Sequence, residues 1–264
     1  MKKLFIIVPL LAVLLLSGCD DGKVNFFTVD QDIEFGEETL AQIMADPVTY
    51  PILDREEYSD AYEHLESIRD KILASGELKY DDTFDWDVYI IDDDVLNAFS
   101  IPGGATFYYT GLIKFLDDEA SLAGVMAHEM AHADKRHSTS AMTKQYGYST
   151  LLSVLLGNNE SVVGTIVEQL AGGLGSLKFS RDNEYDADNG AVTYLYKTEY
   201  DARGVAYFFE KMDPEKQSKV EVYLSTHPSP DDRIEKINER HKELGGKEGG
   251  LFIEEYQEFK SMLP

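Results

Sequence analysis

Residues 117–135 run Asp117-Asp118-Glu119-Ala120-Ser121-Leu122-Ala123-Gly124-Val125-Met126-Ala127-His128-Glu129-Met130-Ala131-His132-Ala133-Asp134-Lys135. The stretch reads as one helix, opened by an aspartate cap and carrying two histidines four residues apart. Four residues turn an α-helix through about 400°, so His128 and His132 lie nearly over one another and can share one zinc ion. Glu129 sits about 100° further round, where it can reach a water without being a ligand itself. Leu122, Met126 and Met130 fall on the opposite face, while Ser121 and Gly124 on the histidine side are small enough to leave room for metal and substrate. Burying two histidines and a glutamate together without a metal would cost on the order of several kcal/mol in desolvation.

A catalytic zinc needs a third protein ligand. Downstream stands Ser180-Arg181-Asp182-Asn183-Glu184-Tyr185-Asp186-Ala187-Asp188. Asp182 and Asp186 read as a solvated face. Glu184, Asp188, Ala191 and Leu195 follow at i, i+4, i+7 and i+11, which is a buried stripe. Glu184 is therefore read as the third ligand and Asp188 as an acceptor that orients a ligand histidine.

His128-Glu129-x-x-His132, Phe179-Ser180-Arg181-x-x-Glu184-x-x-Ala187-Asp188 and Asn97-Ala98-Phe99-x-x-Pro102-Gly103-Gly104 occur in this order. Together, over roughly residues 55–243, they resemble the HtpX and CAAX-prenyl-endopeptidase family of gluzincin metallopeptidases, especially its periplasmic lipoprotein members. The resemblance implies a zincin-like α+β domain, mainly helical, with a small mixed sheet whose edge strand borders the active-site helix. It implies Glu184 as the third zinc ligand and the strand after Gly104, from Ala105 through Thr106, Phe107 and Tyr108 to Tyr109, as the edge that binds an extended peptide. It also implies that His227, in Thr226-His227-Pro228-Ser229-Pro230, approaches the zinc. There it would either stabilise the oxyanion or act as a fourth ligand that blocks the water. His64, His137 and His241 have no such support and read as surface residues.

The reaction so implied is zinc-dependent endopeptidase cleavage of unfolded or misassembled envelope proteins, with Glu129 shuttling the proton. The competing expectation is a zinc-bound, chaperone-like envelope factor with little proteolytic activity.

The rest of the chain bounds these readings. A net charge of −25 with no basic cluster excludes nucleic acid as a partner. Lys2 and Lys3 precede an apolar run from Leu4 to Leu16 that ends in Ser17-Gly18-Cys19, the pattern of a bacterial lipoprotein signal peptide over residues 1–18. Cys19 is the sole cysteine, so lipidation rather than a disulfide is its expected fate. Residues 19–30 then form a tether to a single metallopeptidase domain, 31–264, held at a membrane in the cell envelope with its folded part in the periplasm.

Hydrophobic periodicity places helices at 31–45, 55–75, 181–197, 201–212, 230–243 and 251–263, with the 138–178 stretch as helices of a lid or core. Residues 86–91 read as a strand, 97–110 as a strand interrupted by a Pro-Gly-Gly turn, and Gly245 to Gly250 as a flexible joint.

Overall fold

The computed structural model describes residues 19–20, 23–155, 160–170, 177–212, 221–228 and 232–264. The expected signal segment 1–18, parts of the 138–178 stretch and Ser229 to Asp231 lie outside them. In chain order the elements begin with a short hairpin of β1 (Cys19–Asp20) and β2 (Lys23–Val24), then α1 (Val29–Ala45) and α2 (Ser59–Leu73). The sheet and the short helix that follows it are β3 (Val88–Ile91), β4 (Ala98–Ser100), β5 (Thr106–Tyr109) and α3 (Thr110–Phe115). The remaining helices are α4 (Glu119–Asp134), α5 (His137–Leu155), α6 (Glu160–Leu170), α7 (Arg181–Tyr196), α8 (Gly204–Lys211), α9 (Glu221–Thr226), α10 (Arg233–Glu243) and α11 (Ile253–Ser261). The fold is thus α+β and mainly helical, as expected. Helices α3 and α9 were not anticipated, because six residues do not fill two turns and leave no periodic trace. No helix among the described residues is long and apolar enough to cross a membrane.

Local chemistry explains the boundaries. Helix α1 opens on a capping box, in which Thr28 Oγ1 accepts from the Gln31 amide at 3.2 Å and Gln31 Oε1 accepts from the Thr28 amide at 2.8 Å. Helix α2 buries Tyr62, Leu65, Ile68 and Ile72, the stripe its spacing demands. Gly147, at φ 71°, breaks α5 into two arms.

The sheet has the order β3-β5-β4, with β3 parallel and β4 antiparallel to β5. Side chains alternate across it. Tyr89, Phe107 and Phe99 line up across the three strands with ring centroids 4.9 and 4.6 Å apart, facing a core shared with α1, α5 and α6. Val88, Ile90 and Tyr108 point the other way into the larger core with α2, α4, α7 and α8.

This topology corrects one expectation. The strand that follows Gly104 is the central strand, paired on both sides, and its Thr106, Phe107, Tyr108 and Tyr109 are buried along with Gly104 and Ala105. The edge beside α4 is β4, because the Gly103-Gly104 turn (φ 82° and 110°) folds the chain back and sends the second arm of the hairpin to the middle.

Helix α4 is buried along its whole length. Gly124 does not leave room for substrate, as its position on the helix suggested. A Cβ on Gly124 would stand 2.1 Å from the Val205 amide nitrogen, and one on Gly204 would stand 1.8 Å from the Ala120 carbonyl oxygen. The two glycines let α4 and α8 touch backbone to backbone. Ser121 belongs to the cap, its amide and Oγ lying 2.8 and 2.9 Å from Asp118 Oδ1. Gly204→Ala is expected to lower stability by about 1–3 kcal/mol through overpacking. A thermal melt should register this as a Tm lower by about 2–4 °C for each kcal/mol.

Three further expectations change. Gly245 to Gly250 is not a loose joint: the Gly250 amide donates to the Glu199 carbonyl at 2.8 Å and its carbonyl accepts from the Asp201 amide at 3.0 Å, docking α11. His64 is not a free surface residue, since its Nε2 lies 2.8 Å from Glu119 Oε2 and its ring stacks on Phe259 at 4.4 Å. His241 is buried, with Nε2 2.8 Å from the Lys247 carbonyl.

Candidate metal centre

Helix α4 presents His128 and His132 on one face, and α7 crosses it closely. Ser180 caps α7, its Oγ accepting from the Asn183 amide at 3.2 Å, so Glu184 enters in the first turn. Glu184, Asp188, Ala191 and Leu195 are all buried, as the i, i+4, i+7, i+11 reading requires. His227 arrives from the end of α9, its amide donating to the Tyr223 carbonyl at 2.9 Å. Its ring stacks on Tyr223 at 4.6 Å, while Phe179 covers His132 at 4.1 Å.

These elements bring together one ligand-capable atom each from His128, His132, Glu184 and His227, all within 4.8 Å of one another and all buried. The His128 and His132 Nε2 atoms are 3.0 Å apart, and His227 Nδ1 is 3.4 Å from His128 Nε2. Glu184 oxygens lie 3.6 Å from each α4 histidine and 3.4 Å from His227 Nδ1. Ligands about 2.0–2.1 Å from a tetrahedral zinc stand about 3.3 Å from one another. Three nitrogens and a carboxylate oxygen at this spacing suit zinc. Glu184 Oε1 is also buried without a hydrogen-bond partner, a cost that a cation removes.

The surroundings set the charge. His128 Nδ1 lies 2.9 Å from Asp188 Oδ1, whose negative charge holds a ring proton on Nδ1 and turns Nε2 to the cluster, where a zinc ion would take its lone pair. Arg233, fully buried on α10, donates through Nε and Nη2 to the two Asp188 oxygens, both at 2.7 Å. Its Nη1 makes an ion pair with Glu184 Oε2 at 2.8 Å without the alignment of a hydrogen bond.

Burial pushes the Asp188 carboxyl up, but Arg233 and His128 outweigh it and hold the group below its ordinary range. Burial likewise opposes ionisation of Glu184, and His227, His128 and His132 together hold it well below the usual carboxylate range. Burial pushes Glu129 up, offset only in part by His227 and His128. His132 is held well below the ordinary imidazole value by burial and then by His128.

Glu129 Oε2 is 3.5 Å from Ser100 Oγ on edge strand β4, and Oε1 is 3.5 Å from His227 Nε2. The helix, the third donor and the acid–base candidate therefore converge where the spacing placed them. Two participants carry no signal in the spacing of the chain. Arg233 gave no signal, because a lone arginine in a charged helix reads as solvated. His137, expected at the surface, is fully buried against His132. Asp186 is not merely solvated either, since it pairs with Lys135 at 2.6 Å.

A histidine pair from α4 and a glutamate from α7 packed against it, with an ionisable glutamate between the histidines and a sheet edge alongside, places the chain among the zinc metallopeptidases. Sequence comparison narrows the class. The profile of Peptidase family M48 matches residues 60–241, more than half of the chain, and the chain belongs to that family.

Among its relatives, the putative beta-barrel assembly-enhancing protease of Vibrio cholerae is 29% identical over 230 residues, covering 82% of this chain and 45% of that protein. The beta-barrel assembly-enhancing protease of Escherichia coli is 29% identical over 167 residues, covering 59% of this chain and 34% of its own length. The mitochondrial metalloendopeptidase OMA1 of Arabidopsis thaliana is 32% identical over 144 residues, covering 54% and 29%. The chain thus spans less than half the length of these relatives.

Proposed function

We propose that this chain is a zinc endopeptidase that cleaves unfolded or misassembled envelope polypeptides, with His128, His132 and Glu184 holding the metal and Glu129 moving the proton. The convergence of the four buried donor atoms within 4.8 Å carries the reading. Held there, zinc would supply Lewis acidity toward the attacking water and the peptide carbonyl. Glu129 takes the proton of the attacking water on a carboxylate oxygen and delivers it to the leaving amine, a task suited to a carboxyl that burial pushes toward neutrality. Asp188 and Arg233 hold His128 and Glu184 in place.

An extended peptide would lie along the outer side of β4, which pairs with no other strand among the described residues and ends at Ser100 beside Glu129. The names of the bacterial relatives favour envelope substrates. Cys19 would carry the lipid that ties the chain to the membrane facing the periplasm, and Cys19→Ser should move it from the membrane to the soluble fraction. The test of the metal reading is zinc content: stoichiometric zinc in the full chain and its loss in His128→Ala support it, and no zinc in either rejects it.

His227 stands as the fourth donor in this arrangement, with its Nε2 turned to Glu129. This favours the blocking role over the oxyanion role. His227→Ala is expected to raise cleavage of casein severalfold at unchanged zinc content, because a fraction of the chain no longer has to open before it binds substrate. A fall by about 10²–10³ would assign His227 to the oxyanion instead.

A further inference from the structure

We propose that His137 is a positioning residue for the metal ligand His132, accepting its Nδ1–H and passing the constraint through Asp186 to Lys135; this rests on the zinc-site reading above. His137 Nδ1 lies 3.0 Å from His132 Nδ1, with the rings meeting edge to face at 76°. On the far side of the ring, Nε2 lies 3.3 Å from Asp186 Oδ2, and Asp186 Oδ1 accepts from Lys135 Nζ at 2.6 Å.

Two facing Nδ1 atoms can share only one proton. His132 must turn a lone pair on Nε2 to the donor cluster, so its proton sits on Nδ1. The Nδ1 of His137 is then the acceptor, and its own proton sits on Nε2, pointing at the Asp186 carboxylate. Each hydrogen in the row has one place, which locks the tautomer and the ring angle of His132 as Asp188 does for His128.

The backbone is bent to make this contact. Arg136 adopts a left-handed φ of 56°, uncommon for a residue with a side chain. It is held there by an ion pair with buried Asp32 and by donation to the Phe27 carbonyl. That turn ends the run of α4 and swings the first residue of α5, His137, back against the site with none of its surface exposed. A buried imidazole with both ring nitrogens engaged and one of them on a metal ligand is what an outer brace requires.

Zinc affinity of the full chain in detergent, measured by competition with a chelating dye, decides the matter without reference to activity. His137→Leu is expected to weaken zinc binding by about 10–100-fold. His137→Asn places an amide oxygen near the Nδ1 position and is expected to stay within about threefold of wild type. Equal loss in the Asn and Leu variants, at matched far-UV circular dichroism, would overturn the acceptor role.

Should the Leu variant not fold, Asp186→Ala removes the outer acceptor from a side chain that is one-third exposed. It is expected to weaken binding about threefold or more, and no change would overturn the proposal. Wild-type chain that binds no zinc rejects the metal reading itself. Wild type and Leu variant binding alike reject only the role of His137.

Discussion

Glu129→Gln is expected to leave zinc content and Tm unchanged while casein cleavage falls by about 10²–10⁴, the range for loss of a positioned general base. The substitution keeps the shape of the side chain and removes only its capacity to hold a proton. Glu129 is 1% exposed and touches Ser100 and His227 from its two oxygens, so an amide can occupy the same volume. It is not one of the four clustered donors, which is why zinc retention is part of the prediction. Equal cleavage by wild type and variant would remove Glu129 from the mechanism. Zinc-loaded chains that both fail to cleave, even with His227→Ala in the same molecule, would favour the chaperone-like reading.

Arg233→Met should have the largest effect on stability, about 3–5 kcal/mol, because it strips the guanidinium from two buried carboxylates and leaves their charge uncompensated. Arg233 is 1% exposed and stacks on Phe209 at 4.2 Å; methionine keeps much of that apolar contact, so the loss reports the charge.

Its pH dependence follows from Asp188. In wild type the folded carboxyl is held below its ordinary value, so its contribution is present above the unfolded pKa of about 3.9 and is lost as pH falls through the folded value. In the variant, burial prevails and the folded pKa rises above the unfolded one, so protonation favours the fold. That stability is present below about pH 3.9 and is lost as pH rises. Urea unfolding in excess chelator should therefore show the deficit greatest near neutrality and shrinking toward pH 4. A deficit independent of pH would mean that Arg233 acts by packing alone.

The parts of the site legible in the sequence are those in which spacing along one helix dictates the outcome. His128 and His132 share a face because 3.6 residues make a turn, and Glu184 and Asp188 follow the stripe that buries Ala191 and Leu195. Contacts between distant segments leave no such periodic trace. Sheet order depends on which partner the second arm of a hairpin finds, so β5 was misplaced at the edge. Gly124 was read as space for a substrate when it is space for Gly204, eighty residues on. His137 lies one residue past a left-handed arginine, and nothing in Lys135-Arg136-His137 announces that the chain doubles back there.

The two-histidine helix, the glutamate between the histidines and the register of Glu184 follow from the chain alone, since each obeys the geometry of one continuous helix. What stands around them comes from packing: Arg233 bridging Asp188 and Glu184, His137 beneath His132, and His227 beside Glu184 and His128. Those contacts join residues on different helices, and they exist because buried charges and imidazoles must find partners wherever packing brings them.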